Sequence, residues 1–182
     1  IGQALRHAAG QTVDQYRQTS ARLFARFAAV AKDNSLATRR NGYSAQQIGD
    51  VTPDNPFVGF PYTKLMTASA FIDQSAAFIV VSEARADALG IARDKRVYLH
   101  GEAHAHDQWF VSDRLRLDRS PAMRLSARAA LAQSGKSIEQ VGAFDIYSCF
   151  PSAVQIACNE LGISPDDPRG LTVTGGLPYF GG

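Results

Sequence analysis

The sequence predicts an α/β chain with a mixed, mainly parallel sheet and crossover helices, on three observations. Short β-branched and aromatic runs alternate with stretches of roughly 10 to 15 residues at helical spacing. Cap and turn residues stand where that alternation needs its breaks. The 182 residues, 45% hydrophobic and 20% charged, suffice for a packed core and exclude disordered, collagen-like and low-complexity classes.

The first element is a long amphipathic helix. Thr12 and Gln15 form a capping-box pattern, and Val13, Tyr16, Ser20, Leu23, Phe24, Phe27 and Val30 follow at spacings of three and four. Asp33 and Asn34 end it, and Arg17, Arg22 and Arg26 form its solvated face. Between Ser35 and Tyr62, Gly42, Pro53, Pro56, Gly59 and Pro61 break every period, which predicts a long surface excursion. Gln74 to Val81 then reads as a strand buried on both faces, and Ser82 caps a short helix that Gly90 terminates. Arg96 to His100 is a second strand, and Glu102 to Asp118 is mostly loop. Ser120 and Pro121 open a helix that Gly135 stops. Ala143 to Cys149 is a third strand; Pro151 opens a helix whose apolar face is Val154, Ala157, Cys158 and Leu161, closed by Gly162; Leu171 to Thr174 is a last short strand.

Charge and cysteine usage narrow the classes of function. Nineteen Lys and Arg nearly balance 17 Asp and Glu, so the net +2 gives no broad field for a nucleic-acid backbone or an anionic membrane. The longest apolar run, Ala76 to Val81, falls far short of the roughly 20 residues of a membrane-spanning helix. Two cysteines are too few for a disulfide framework and fit a reducing, cytoplasmic setting. The start at Ile1 and the end inside a glycine-rich stretch read as a piece cut from a longer protein.

Three groups of residues could carry chemistry. Cys149 lies where a strand turns into the helix opened by Pro151, with its sulfur toward the positive end of that helix. Such strand ends are where open α/β sheets bind ligands, although a free Cys also serves as a small core residue, the reading Cys158 takes on its apolar helix face. Thr174 to Gly182 follows a strand and carries Gly175, Gly176, Gly181 and Gly182, either as a loop that approaches a ligand closely or as a plain turn. His104 and His106, with Glu102, alternate as metal ligands on a strand would, yet a third placed histidine and the wider metal-hydrolase pattern are missing, and a polar loop is the default. Arg114 to Arg119 reads as a solvated edge rather than a phosphate clamp.

Taken in order, several of these segments resemble the thiolase superfamily. Asp73-Gln74-Ser75-Ala76-Ala77-Phe78-Ile79-Val80-Val81 resembles its Asp-Gly-Ala-Ala-Ala strand, and Phe144 to Phe150 its second catalytic motif. Leu171 to Gly182 resembles the strand and Gly-Gly loop leading to its Gly-His-Pro motif. The Cys149-Phe150 pair is most similar to the sterol-carrier-protein type, whose motif reads His-Asp-Cys-Phe.

The resemblance implies a duplicated α/β/α/β/α fold. Residues 1–72 would be the helical and loop insertion of the first half, 73–95 its last strand and helix, and 96–182 the truncated start of the second half. It implies an acetyl-CoA acetyltransferase of lipid metabolism, with a coenzyme A thioester as substrate, no cofactor, and a homodimer or partner subunit. Cys149 would move a proton at the α-carbon and Tyr147, where the family has Asn or His, would contact the thioester oxygen. Gly175, Gly176, Gly181 and Gly182 would line the substrate. The acylating Cys would lie before Ile1, and the piece alone would be inactive. Gly182 falls where the motif has its His, so a catalytically degenerate acyl-CoA-binding or scaffold subunit is the alternative.

Overall fold

Helix α2 (Val13–Asp33) organises the molecule, because its apolar stripe is the longest continuous one in the chain. In the computed structural model, which describes residues 1–181, Thr12 and Gln15 form the expected reciprocal cap. The helix buries Tyr16, Leu23, Phe24, Phe27, Ala28 and Ala31. A shorter helix, α1 (Gly2–Ala8), precedes it and was not legible as a separate element.

The excursion from Ser35 to Tyr62 is ordered by local pairing rather than left as bare loop. Ser44 and Gln47 make a second capping box for α3 (Ala45–Gly49), which packs along α2. Strands β1 (Phe57–Gly59) and β2 (Tyr62–Thr63) form an antiparallel hairpin. Buried Asn55 gathers the turn by donating to the carbonyls of Gln47, Ile48 and Asp50 at 3.1, 3.1 and 2.8 Å, while its carbonyl accepts from Leu65 N at 2.9 Å.

Three more helices follow where their caps predict: α4 (Glu83–Ala88) behind Ser82, α5 (Pro121–Ser134) behind Ser120, and α6 (Pro151–Leu161). Helix α6 crosses α2 and contributes Val154, Ile156 and Cys158 to one core with Ile48, Met66, Leu171 and Tyr179. Tyr16 of α2 and Tyr62 of β2 share a hydrogen bond of 2.8 Å, and Tyr16 donates to Gln155 of α6 at 2.8 Å. Burial raises both phenols above their ordinary values, so they stay neutral hydrogen-bonding groups inside the core. Buried Glu160 of α6 accepts from Ser120 N at 3.0 Å and meets Arg124 at 3.5 Å, tying α5 to α6.

The expected mainly parallel sheet is the main correction. Among the described residues the sheet is the two-stranded β1–β2 hairpin, and residues 73–81, 96–100, 143–149 and 171–174 carry no strand ladder. Two of these segments run together for one backbone bond, Ile146 N to Leu171 O at 3.0 Å. The physical reason is that a buried strand needs neighbours on both edges and both faces. Here Phe78 is 87% exposed and Val97 97%, with Ile79, Val80 and Leu99 similarly open. Among the described residues no helix is long and apolar enough to cross a membrane.

Candidate active site around Cys149

The bend between residue 147 and Pro151 is held on two sides. On one side Ala68 N donates to the carbonyl of Cys149 at 3.0 Å. On the other, Ser148 Oγ accepts from Leu177 N at 3.0 Å, which fastens the glycine-rich loop to the bend. The loop is in turn joined to the first side, since Ser69 N donates to Leu177 O at 3.1 Å. Cys149 itself is half-buried, with its neighbour Ser148 turned inward at 1% exposure. Alternation along an extended chain accounts for this: Ser148 faces the core while Tyr147 and Cys149 face outward.

Tyr147 and Cys149 are brought together. The two side chains leave the extended segment on the same side, and the neighbouring Cys149 thiol, more than burial, holds the Tyr147 phenol above its ordinary value. Tyr147 is therefore a protonated donor at neutral pH. Its 65% exposure leaves it open to a ligand. At the start of α6, Phe150 supplies no side-chain cap to the first amides. Cys158 is the core residue expected, fully buried, with burial pushing its thiol up to about 11.

The glycines serve a close approach, but to the protein itself. A Cβ on Gly175 (φ 106°) would lie 2.4 Å from Ala31 Cβ on α2. One on Gly176 (φ 72°) would lie 2.5 Å from both Phe27 Cδ1 and Ser148 Oγ, and one on Gly181 2.9 Å from Ile72 Cγ2. All three glycines are buried; Gly175 and Gly176 seat the loop on α2, and Gly181 packs against Ile72. Gly182 lies outside the described residues.

Other singled-out residues fall elsewhere. His104 and His106 sit on an exposed loop with their Nε2 atoms 2.8 Å apart, and among the described residues no three or more His, Cys, Asp or Glu converge as a metal would need. A cavity of about 420 Å³ lies between His106, Trp109, Arg114 and the start of α5. Cavities of about 360 and 220 Å³ lie between Arg39, Tyr43 and Lys64, and between Phe27, Pro165 and Arg169; Cys149 lines none of these three.

Sequence reasoning missed two residues that build the site. Ser148 is one. Asp145 is the other: its Oδ1 accepts from Thr172 Oγ1 at 2.8 Å, Thr174 Oγ1 at 3.2 Å and Val173 N at 3.3 Å, and so aligns the segment leading into the glycines. The alternation that placed Cys149 outward was the available signal for Ser148; Asp145 had none, because its partners are some 27 residues away in sequence.

Comparison with solved structures shows a fold relationship. The chain superposes on the crystal structure of a monomeric SCP2-thiolase-like protein type 1 from Mycobacterium smegmatis with a TM-score of 0.87 and 36% sequence identity, over 100% of this chain and 39% of that one. The chain thus has the thiolase-like fold relationship that the motifs implied, specifically to the SCP2-thiolase-like proteins. It spans well under half the length of that neighbour. No family model and no curated protein matches the sequence.

Proposed function

We propose that this chain is part of a cytosolic, thiolase-like acyl-CoA acyltransferase that makes or breaks a carbon–carbon bond beside a thioester. The observation that carries the reading is the paired Tyr147 phenol and Cys149 thiol on an outward-facing bend, secured to the glycine-rich loop of a thiolase-like fold. In this reading the Cys149 thiolate takes a proton from the α-carbon of acetyl-CoA. The C–H electron pair moves onto the thioester oxygen as an enolate, whose α-carbon attacks the acyl group held as a thioester on a further cysteine and expels that cysteine's thiolate, or is reprotonated by the same Cys149 sulfur. Tyr147 turns its O–H to that oxygen. The segment of Gly175, Gly176 and Gly181 backs the substrate with its glycines packed inward. A further cysteine outside residues 1–182 carries the acyl group, and no cofactor beyond the coenzyme A thioester enters.

The divisions 1–72, 73–95 and 96–182 would correspond to the insertion, the end of the first half and the start of the second. Further strands of the fold, from the same polypeptide or a partner subunit, would cover the open apolar segments; a homodimer is one such arrangement, although the Mycobacterium smegmatis neighbour is monomeric. The test is α-proton exchange: the full-length protein, incubated with acetyl-CoA in heavy water, is expected to introduce deuterium at the α-carbon, and Cys149→Ala to abolish it. Absence of exchange with acetyl-CoA bound would contradict the reading. It would select instead a degenerate acyl-CoA-binding subunit, a role favoured by Gly182 standing where the related motif has His.

A further inference from the structure

Three hydrogen bonds close a ring around Cys149. Starting at Ser148 Oγ, the path runs to Leu177 N at 3.0 Å, through Leu177 to its carbonyl, and to Ser69 N at 3.1 Å. It continues along the chain to Ala68 N and crosses to the Cys149 carbonyl at 3.0 Å, from which the peptide bond returns to Ser148. The bend, the glycine-rich loop and the Ala68–Ser69 segment therefore hold one another, and displacing any one strains the other two. Two of the three links are backbone to backbone and independent of side-chain identity. The third is the Ser148 hydroxyl, buried at 1% exposure and pressed against Gly176.

We infer that Ser148 is a positioning residue, the side chain that fixes the Cys149 thiol relative to the glycine-rich loop. A buried hydroxyl accepting one amide hydrogen does little for an isolated turn, but here it closes a ring whose other members are all backbone groups. Gly176 fits the same account, since any side chain at that position would push Ser148 off Leu177. The role deepens the acyl-CoA reading, yet its first measurement needs no acyl-CoA, so the two can fail separately.

The experiment is alkylation by iodoacetamide at neutral pH, followed at each cysteine by peptide mass spectrometry. Cys158, fully buried and with its thiol pushed up to about 11, is the built-in reporter of an intact core. Ser148→Ala removes the acceptor, and with it a bond whose usual worth corresponds to about a five-fold change in the population of the closed arrangement. Cys149 is expected to react about five-fold faster in that variant while Cys158 stays protected, and Ser148→Thr, which keeps the hydroxyl, to return the parent rate. An unchanged Cys149 rate would overturn the inference, as would an equal rise at both cysteines, which would make Ser148 a support of the fold and not of the thiol. In the deuterium-exchange assay Ser148→Ala is expected to lower kcat and keep the KM for acetyl-CoA within about two-fold.

Discussion

Two cysteines of one chain differ because one stands at an extended bend and the other on the buried face of a helix. Cys149 stands outward beside a phenol; Cys158 is enclosed by the α2–α6 core. For Cys158 the folded value of about 11 lies above the ordinary 9.0, so the folded chain keeps a proton that the unfolded chain releases. The stabilisation this gives is complete below about pH 9 and lost as pH rises toward 11. Chemical denaturation across that range is expected to show falling stability, with a shallower slope in Cys158→Ala. Tyr147 is argued to act by donating a hydrogen bond, and Tyr147→Phe removes that donor while keeping the ring. Loss of a donor to a developing oxyanion typically costs roughly 100-fold in kcat, and the α-proton exchange rate of this variant is expected to fall by that order. A rate unchanged within error would remove Tyr147 from the chemistry.

At the scale of elements, what was legible in sequence was what is local. Helices α2, α5 and α6 begin and end where Thr12, Ser120, Pro151, Gly135 and Gly162 place them, since capping and left-handed closure depend on a few adjacent residues. The strands were not so decided. Ala76 to Val81 has every local mark of a strand, but a ladder is made by partners, and the described residues supply none for it. The glycine-rich loop was legible as a place of close approach, but not its protein partners, because Gly175 and Gly176 meet Ala31 and Phe27 of a helix about 145 residues earlier. That packing makes its own prediction. Gly176→Ala places a methyl group in Phe27 and Ser148 at a left-handed backbone angle and is expected to cost about 2 kcal/mol or more, read as a lower urea midpoint.

For the whole molecule, α2 is the beam against which α3, α6 and the glycine-rich loop are laid, and the bend bearing Cys149 is fixed by that packing rather than by a sheet. The motif order in the sequence was enough to reach the thiolase-like relationship, because each motif is a short local run that can be read without its partners. The candidate site was half legible: Cys149 and Tyr147 were proposed from the motif, whereas the contacts of Ser148 and Asp145 emerged only once distant segments were seen side by side. The claim at the centre of this account is that the Cys149 sulfur faces a bound acyl-CoA, and competition between acetyl-CoA and iodoacetamide on the full-length protein tests it most directly. The account predicts that saturating acetyl-CoA protects Cys149 from alkylation, with Cys158 unreactive whether or not it is present; alkylation of Cys149 at the same rate with and without acetyl-CoA would contradict it.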